Sequence, residues 1–517
     1  MICYIINPMT LLIRNVKILG GEGKFPEPAD VFISGDKISA IGRFPAKKAD
    51  EVIDGGGAYL SPGFIDVNTD SDHYLSLLDY PEQGDFLKQG VTTIVGGICG
   101  SSLAPLLYGS LESVQKWGDT SRVNVNWHSV REFFATMGKK PIGVNFATFI
   151  GHSTIRRAIM GSEIRDLTKN EMEVFGATLR RALDEGGIGL STGLGYVHSF
   201  RAPYAEVRTL VKIAKDNGGA YATHLRKNRT DLLESVDETI RVAQETGVKT
   251  IISHFMPQIG AEEAYETALR KIEALPAELD FRFDVYPYDT SVLALYTFLP
   301  LWVQSGGREV MLANLRDMWL RPRIEKELPV IDGDHFIVAQ APGNESLVGK
   351  TLTDIKSAYG VSDLRAALLK LMLTTELKGI IFYKNINKDL IGRALKSPRS
   401  LIASNAASFP DGGPAKILKP ERARSTFTEF LSLAISENMM PIEAAIKKIT
   451  SEPARLLGFA GRGVVKEGNI ADLAVFSVGA GEKKAVEMKY TVVNGAIACR
   501  SGVCAKTYSG RILKHGA

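Results

Sequence analysis

The stretch GAYATHLRKNRTDLLESVDETIRVAQETGVKTIISHF, residues 219–255, decides the fold. It begins and ends in short β-rich apolar runs, GAYATHL and VKTIISHF. Between them Leu232, Leu233, Val236, Ile240, Val242 and Ala243 recur at roughly helical spacing, which predicts an amphipathic helix. Apolar strands that alternate with helices are parallel strands buried on both faces. The same rhythm runs outward through SPGFIDV, GVTTIVGG, GVNFATFIG, GGIGLSTGLG, DFRFDVYPY, LKGIIFY and RSLIASN, with helical stretches such as KNEMEVFGATLRRALDEG between them. Eight or nine such units predict an α/β fold, a TIM-like (β/α)8 barrel, over residues 62–453. A doubly wound sheet is the rival, but no GxGxxG turn follows a strand.

Both flanks read differently. Residues 1–61 hold short alternating runs (LLIRNVKIL, ADVFISGDKISAIG, EVIDGGGAYL) split by Gly and Pro, and residues 454–517 have the same texture in ADLAVFSV and KYTVVNGAIACR. Such runs predict antiparallel strands. The two ends are expected to build one small β-sandwich domain, with Met9 a possible true start. Within the barrel the rhythm breaks at about residues 289–348, too long for a simple loop, and this stretch is expected to be an insert near the barrel mouth.

Bulk properties exclude several classes. Hydrophobic residues make up 45% and charged residues 23% of the 517, as in ordinary globular chains. A net charge of +4 at this length is too weak to argue for nucleic acid. No apolar run reaches the roughly 18 residues of a membrane span, and the N-terminus lacks a basic region and a cleavage site. Four cysteines (Cys3, Cys99, Cys499, Cys504) are too few for a disulfide scaffold and suit a reducing, cytoplasmic setting. The expected partner is a small-molecule substrate, with no nucleic acid and no membrane; composition says nothing of oligomeric state.

In a (β/α)8 barrel, chemistry sits at the C-terminal strand ends. The residues there are Asn68, Asp70, Asp72 and His73; Cys99; His152; Ser191, Thr192 and Tyr196; His224; His254; Asp284, Tyr286 and Tyr288; and Asn405. Cys99, His224 and His254 on separate strands would supply one thiolate and two imidazoles, a catalytic zinc set with its fourth position open. For Cys99 alone, a small buried hydrophobe is an equal reading. The polar run NTDSD (68–72) is either part of the site or a solvated loop that caps the next helix.

In order along the chain, SPGFIDV, KQGVTTIVGGICGSSLAP, NFATFIGHSTIR, GIGLSTGLGY, YATHLRKNRTDLLESVDETI, TIISHFM, FDVYPYDTS, IEAAIKKITSEPARLLGFAGRGVVKEGNIADLAVF and YTVVNGAIACRSGV resemble the amidohydrolase superfamily, and within it the N-acyl-D-amino-acid deacylases. The resemblance implies a zinc enzyme that hydrolyses a non-peptide C–N bond. Cys99, His224 and His254 match the tightly bound zinc's ligands, Tyr196 and Tyr288 fall in motifs associated with the pocket, and His152 falls in the GH motif after strand three; His152, and His73 from this chain's own strand-one cluster, are also expected to contact substrate. Three departures stand out. The family's histidine pair after strand one is Asn68 and Asp70; its general-base aspartate after strand eight is Asn405; and the basic residue of its SHHK segment is Met256. Asn405 has a neutral amide and takes no proton. Asp70, as a fourth ligand or a base, and Asp72, as a base, are the expected substitutes. One zinc (Zn) per chain is expected. The other possibility is a non-catalytic, metal-retaining protein that binds a small ligand. A carboxylate on the ligand would need a cation, for which Arg201, Arg226, Lys227, Arg422 and Arg424 are available.

Overall fold

The computed structural model describes residues 10–516, apart from residues 23, 24, 26, 109, 110, 112, 113, 115–119, 121, 122, 162, 411–416 and 507. Met9 and Cys3 lie outside that set. No helix among the described residues is long and apolar enough to cross a membrane.

The centre is built of parallel strands. Phe64–Asp66, Val91–Gly96 and Asn145–Thr148 form one sheet; Ile150–Gly151, Gly189–Gly193, Ala220–His224, Thr250–Ile252, Phe281–Val285 and Ser400–Ile402 form a second. Every pairing in both is parallel. Asn145–Thr148 and Ile150–Gly151 are separated only by Phe149, whose N–H donates to the Gly96 carbonyl at 3.0 Å. At the far edges Thr69 bridges Ala406 in parallel, and the Asn405 N–H reaches the Asn68 carbonyl at 2.9 Å. The strands enclose a core of their own, including Ile65, Val67, Val95, Ala147, Ala222, Ile251, Leu401 and Ala403. The helices between them bury a larger outer core, to which Leu232, Val236, Ile240 and Ala243 of the helix Leu232–Thr246 belong. This is the parallel sheet with covered faces that residues 219–255 predict.

The chain ends share one nine-stranded sheet. Leu473–Val478 pairs antiparallel with Tyr59–Pro62, which pairs in turn with the first strand, Thr10–Ile18. A single apolar core joins Leu11, Ile13 and Leu60 to Leu473, Val475 and Val492.

Two expectations need correction. The run LKGIIFY reads as a central strand, but Ile380–Lys384 pairs antiparallel with Thr290–Ala294 and Phe336–Gln340 in a separate three-stranded sheet. The insert therefore extends from Thr290 to Lys384, beyond residue 348. It also has its own apolar core, in which Leu295, Leu315, Phe336, Leu368 and Ile381 are fully buried. An apolar β run buried in a small separate core has the same composition as one buried in the large sheet.

Candidate metal centre and adjoining pocket

Three strand ends converge. The Cys99 sulfur lies 3.3 Å from His254 Nε2 and 3.8 Å from His224 Nδ1, and the two imidazole nitrogens are 2.9 Å apart. All three donor atoms lie within 4.8 Å of one another. The backbone is bent to achieve this: Cys99 and His254 both sit at positive φ, 54° and 38°. Such conformations persist where surrounding structure over-determines them, and they cluster at functional sites. At Cys99 the cause is visible. A Cβ on Gly193 would stand 2.2 Å from the Cys99 carbonyl oxygen, so only glycine lets the two chain segments meet. Ser191 then pins the loop, accepting from the Gly100 N–H at 3.1 Å and donating to the Gly97 carbonyl. Tyr196 packs its ring 4.7 Å from that of His224 and hydrogen-bonds to the Cys99 sulfur. Burial pushes the His254 imidazole down to about 4, so at neutral pH it is uncharged and its lone pair is free for a metal.

A thiol and two imidazoles gathered from three strands fit zinc, whose catalytic sites take three protein ligands. Asp70 stands outside the group of three; its Oδ1 lies 3.1 Å from His73 Nδ1. The other His73 nitrogen reaches the Ser101 carbonyl at 3.1 Å, and the ring is buried. His73 is thus a clamp on Asp70 rather than a pocket lining. Burial opposes its protonation, but the charges of Asp72 and Asp70 outweigh that and push its pKa up to about 9. Burial also opposes ionisation of Asp70, and the His73 bond and charge overcome it, holding the carboxyl below its usual range.

The His73 shift has a stability consequence. Its folded pKa lies above the unfolded 6.5, so the stabilisation is complete below about pH 6.5 and is lost as pH rises through about 9. A rise of this size corresponds to about 3 kcal/mol. Thermal melts of the wild type should show Tm falling between pH 7 and pH 10. His73→Gln should flatten that segment, and an unchanged slope would remove His73 as its source.

The remaining strand-end residues divide clearly. Asp72 spends both oxygens on backbone, accepting from Gly97 N–H at 2.6 Å and from His73 N–H at 3.0 Å. Asn68 is fully buried and its amide donates to the Asp284 oxygens at 3.2 and 3.3 Å. Asp284 also accepts from the His254 N–H at 2.8 Å, and burial pushes its carboxyl up to about 7. His152, expected at the mouth, lies in the helical layer instead. It is fully buried, with one ring nitrogen 3.0 Å from Ser199 Oγ and the other 2.9 Å from Glu206 Oε1. Tyr288 is bonded through its hydroxyl to Ser425 at 2.7 Å.

Asp70 and Asn405 line a cavity together with Tyr74, Arg422 and four residues of the insert, among them Gln340 and Phe382. Arg422 is only 3% exposed, its guanidinium lies 4.8 Å from the Tyr286 ring centre, and its Nε has no hydrogen-bond partner. The other candidate cations are placed elsewhere. Arg226 is tied to Glu238, Lys227 to Asp231, and Arg201 and Arg424 are exposed. The helix Glu421–Ser436 buries Arg422, Thr426, Phe427, Phe430 and Leu431 on one face. An arginine four residues before a buried threonine, in line with an apolar stripe, was the sequence signal for a buried charge.

No family model matches the chain. A D-aminoacylase from Alcaligenes xylosoxydans xylosoxydans is 29% identical over 99% of both chains. The chain is a relative of the D-aminoacylases, which are amidohydrolases. An N-acyl-D-glutamate deacylase of the same organism is 28% identical over 90% of this chain and 87% of its own length. Among solved structures, a D-aminoacylase described as defining a novel subset of amidohydrolases is 27% identical, with a TM-score of 0.78 over 98% of this chain and 99% of that one. The N-acyl-D-glutamate deacylase from Bordetella bronchiseptica, solved with zinc and a phosphonate mimic of the tetrahedral intermediate, is 25% identical with the same TM-score and coverage.

Proposed function

We propose that this protein is a zinc-dependent amidohydrolase that cleaves the amide bond of an N-acyl-D-amino acid or a close analogue. In this reading the parallel strands act as one closed (β/α)8 barrel, with the site at its mouth and a small β domain built from both chain ends. The observation that carries the proposal is the Cys99, His224 and His254 cluster. A cavity holds a buried arginine, Arg422, and Asp70 on its wall; the charges of both act on His254. When bound by those three residues, zinc supplies a Lewis acid that lets water ionise near neutral pH.

The chain's own residues do the rest. Arg422, on the cavity wall, holds the substrate carboxylate through a charge-assisted hydrogen bond. That places the acyl amide toward the cluster. Asp70, ionised at neutral pH and fixed by protonated His73, takes the proton from the attacking water and returns it to the departing amine. Asn405 contributes only hydrogen bonds. The insert, through Gln340 and Phe382, closes the side of the cavity and limits the room for water.

A hydrolysis screen of N-acetyl-D- and L-amino acids, with and without chelator, tests this reading. Turnover of D substrates that stops on zinc removal is the expected result. Asn405 in the place of the family base favours a second reading, a zinc-retaining protein that binds the same carboxylated ligand without hydrolysis. Retained zinc and a ligand-induced rise in Tm, with no turnover of any amide, ester or cyclic imide, would select it.

Two further outcomes follow. Arg422→Gln removes a charged hydrogen bond worth about 1.5–3 kcal/mol, so KM should rise about 10- to 100-fold with kcat nearly unchanged. An unchanged KM would release Arg422 from this role. The second concerns metal count. A D-aminoacylase with a binuclear centre is described as activated by one metal and attenuated by the second. Here the Asn68 amide is bonded to Asp284 beside His254, where a second ion would need a ligand. Elemental analysis should find about one zinc per chain even under excess zinc, with no loss of activity; two would contradict it.

A further inference from the structure

The last described hairpin carries a pair of thiols, independent of the metal set. Strands Ala496–Arg500 and Val503–Cys504 run antiparallel, with Cys499 directly opposite Cys504. Ser501 and Gly502 form the turn at φ 43° and 78°. Positive φ at both central residues marks a two-residue turn whose twist matches the flanking strands and fixes their register. The Ala505 N–H donates to the Ala498 carbonyl at 2.9 Å, so these two residues are a hydrogen-bonded pair. Cys499 and Cys504 are therefore the neighbouring non-hydrogen-bonded pair, whose Cα atoms stand about 4.5 Å apart with side chains converging. That spacing lies within the range a disulfide spans. The two sulfurs are 2.8 Å apart, and both residues are free thiols. Cys499 is buried, whereas Cys504, on the outermost strand of the sheet, is partly exposed.

We propose that Cys499 and Cys504 form a dithiol redox site that closes to an intrachain disulfide by exchange with a small-molecule disulfide. Cys504, the more accessible of the two, loses its proton and attacks one sulfur of the reagent. The reagent's S–S bond breaks, a mixed disulfide forms on Cys504, and one thiolate leaves and takes up a proton. Cys499, deprotonated in turn, attacks the Cys504 sulfur and expels the second thiol. Two electrons pass from the protein to the reagent, which ends as two thiols.

Full-length protein incubated with oxidised glutathione, alkylated and digested with trypsin without reduction tests this. Cleavage after Arg500 separates the two cysteines, so their peptides stay joined only through a disulfide. The expected product is the joined pair, two hydrogens lighter than the separate peptides, in about tenfold excess over any mixed disulfide and reversed by dithiothreitol. Peptides alkylated separately, or glutathione retained on Cys504 beside a free Cys499, would overturn the proposal. In Cys499→Ser the second step is blocked, so a lasting glutathione adduct on Cys504 supports the exchange route and its absence overturns it. Zinc content serves as a control, since Cys99 belongs to a different cluster.

Discussion

Cys99→Ala should empty the metal centre and abolish hydrolysis. The substitution leaves His224 and His254 as the only members of the cluster, below the three protein ligands of catalytic zinc sites. Zinc measured by plasma mass spectrometry should fall from about one ion per chain to below about 0.1, and kcat/KM by at least about 10³-fold. The fold should survive. Cys99 packs among Val95, Phe149 and Ala222. Exchanging one sulfur for hydrogen in such a place costs about 1 kcal/mol. Circular dichroism would separate lost metal from lost structure. Full zinc occupancy in the folded variant would remove Cys99 from the ligand set.

Asp70→Asn should slow turnover while leaving the metal in place. The side chain keeps its shape and an acceptor for His73 but no longer accepts a proton. Loss of a general base typically costs 10²–10⁴-fold. The expected pattern is a fall in kcat of about that size, with zinc content unchanged. Adding Asn405→Asp to this variant restores a carboxylate on the same cavity wall and should recover part of the rate. Zinc lost together with activity would make Asp70 a ligand. Full activity would leave the base elsewhere.

Alternating apolar strands and helices are legible in a sequence because each strand is buried on both faces and each helix on one. That pattern located the parallel strands and placed Cys99, His224 and His254 at their ends. It failed where two environments share one composition. Ile380–Lys384 is as apolar as a central strand because the insert has a core of its own. His152 follows a strand directly, yet it begins the helix His152–Met160 and turns into the helical layer toward Glu206. Side-chain direction at a strand end depends on the next few backbone angles, and these have no periodic signal. Arg422 was one of five candidate cations, and nothing in the pattern singled it out, because a charged residue reads as surface unless its place in the helical stripe is weighed. The pairing of His73 with Asp70 joins neighbours three residues apart, but its meaning depends on Ser101 and Gly97, which arrive from another strand.

The shared end sheet fixes when this protein can become itself during synthesis. Ser61 pairs with Ala474, and Gly63 alone separates Pro62 from the first central strand. Ile512 bridges Phe146 in the third strand, and the Asn494 amide spans the Asn145 side chain and the Ser509 carbonyl. Strands translated early therefore wait for partners that emerge about 400 residues later, as Ser61 does for Ala474. Loop closure over such separations is slow, and strand edges stay open meanwhile. A chain stalled or cut short of its final strands would carry every cluster residue and still lack the frame that holds the first of them in place.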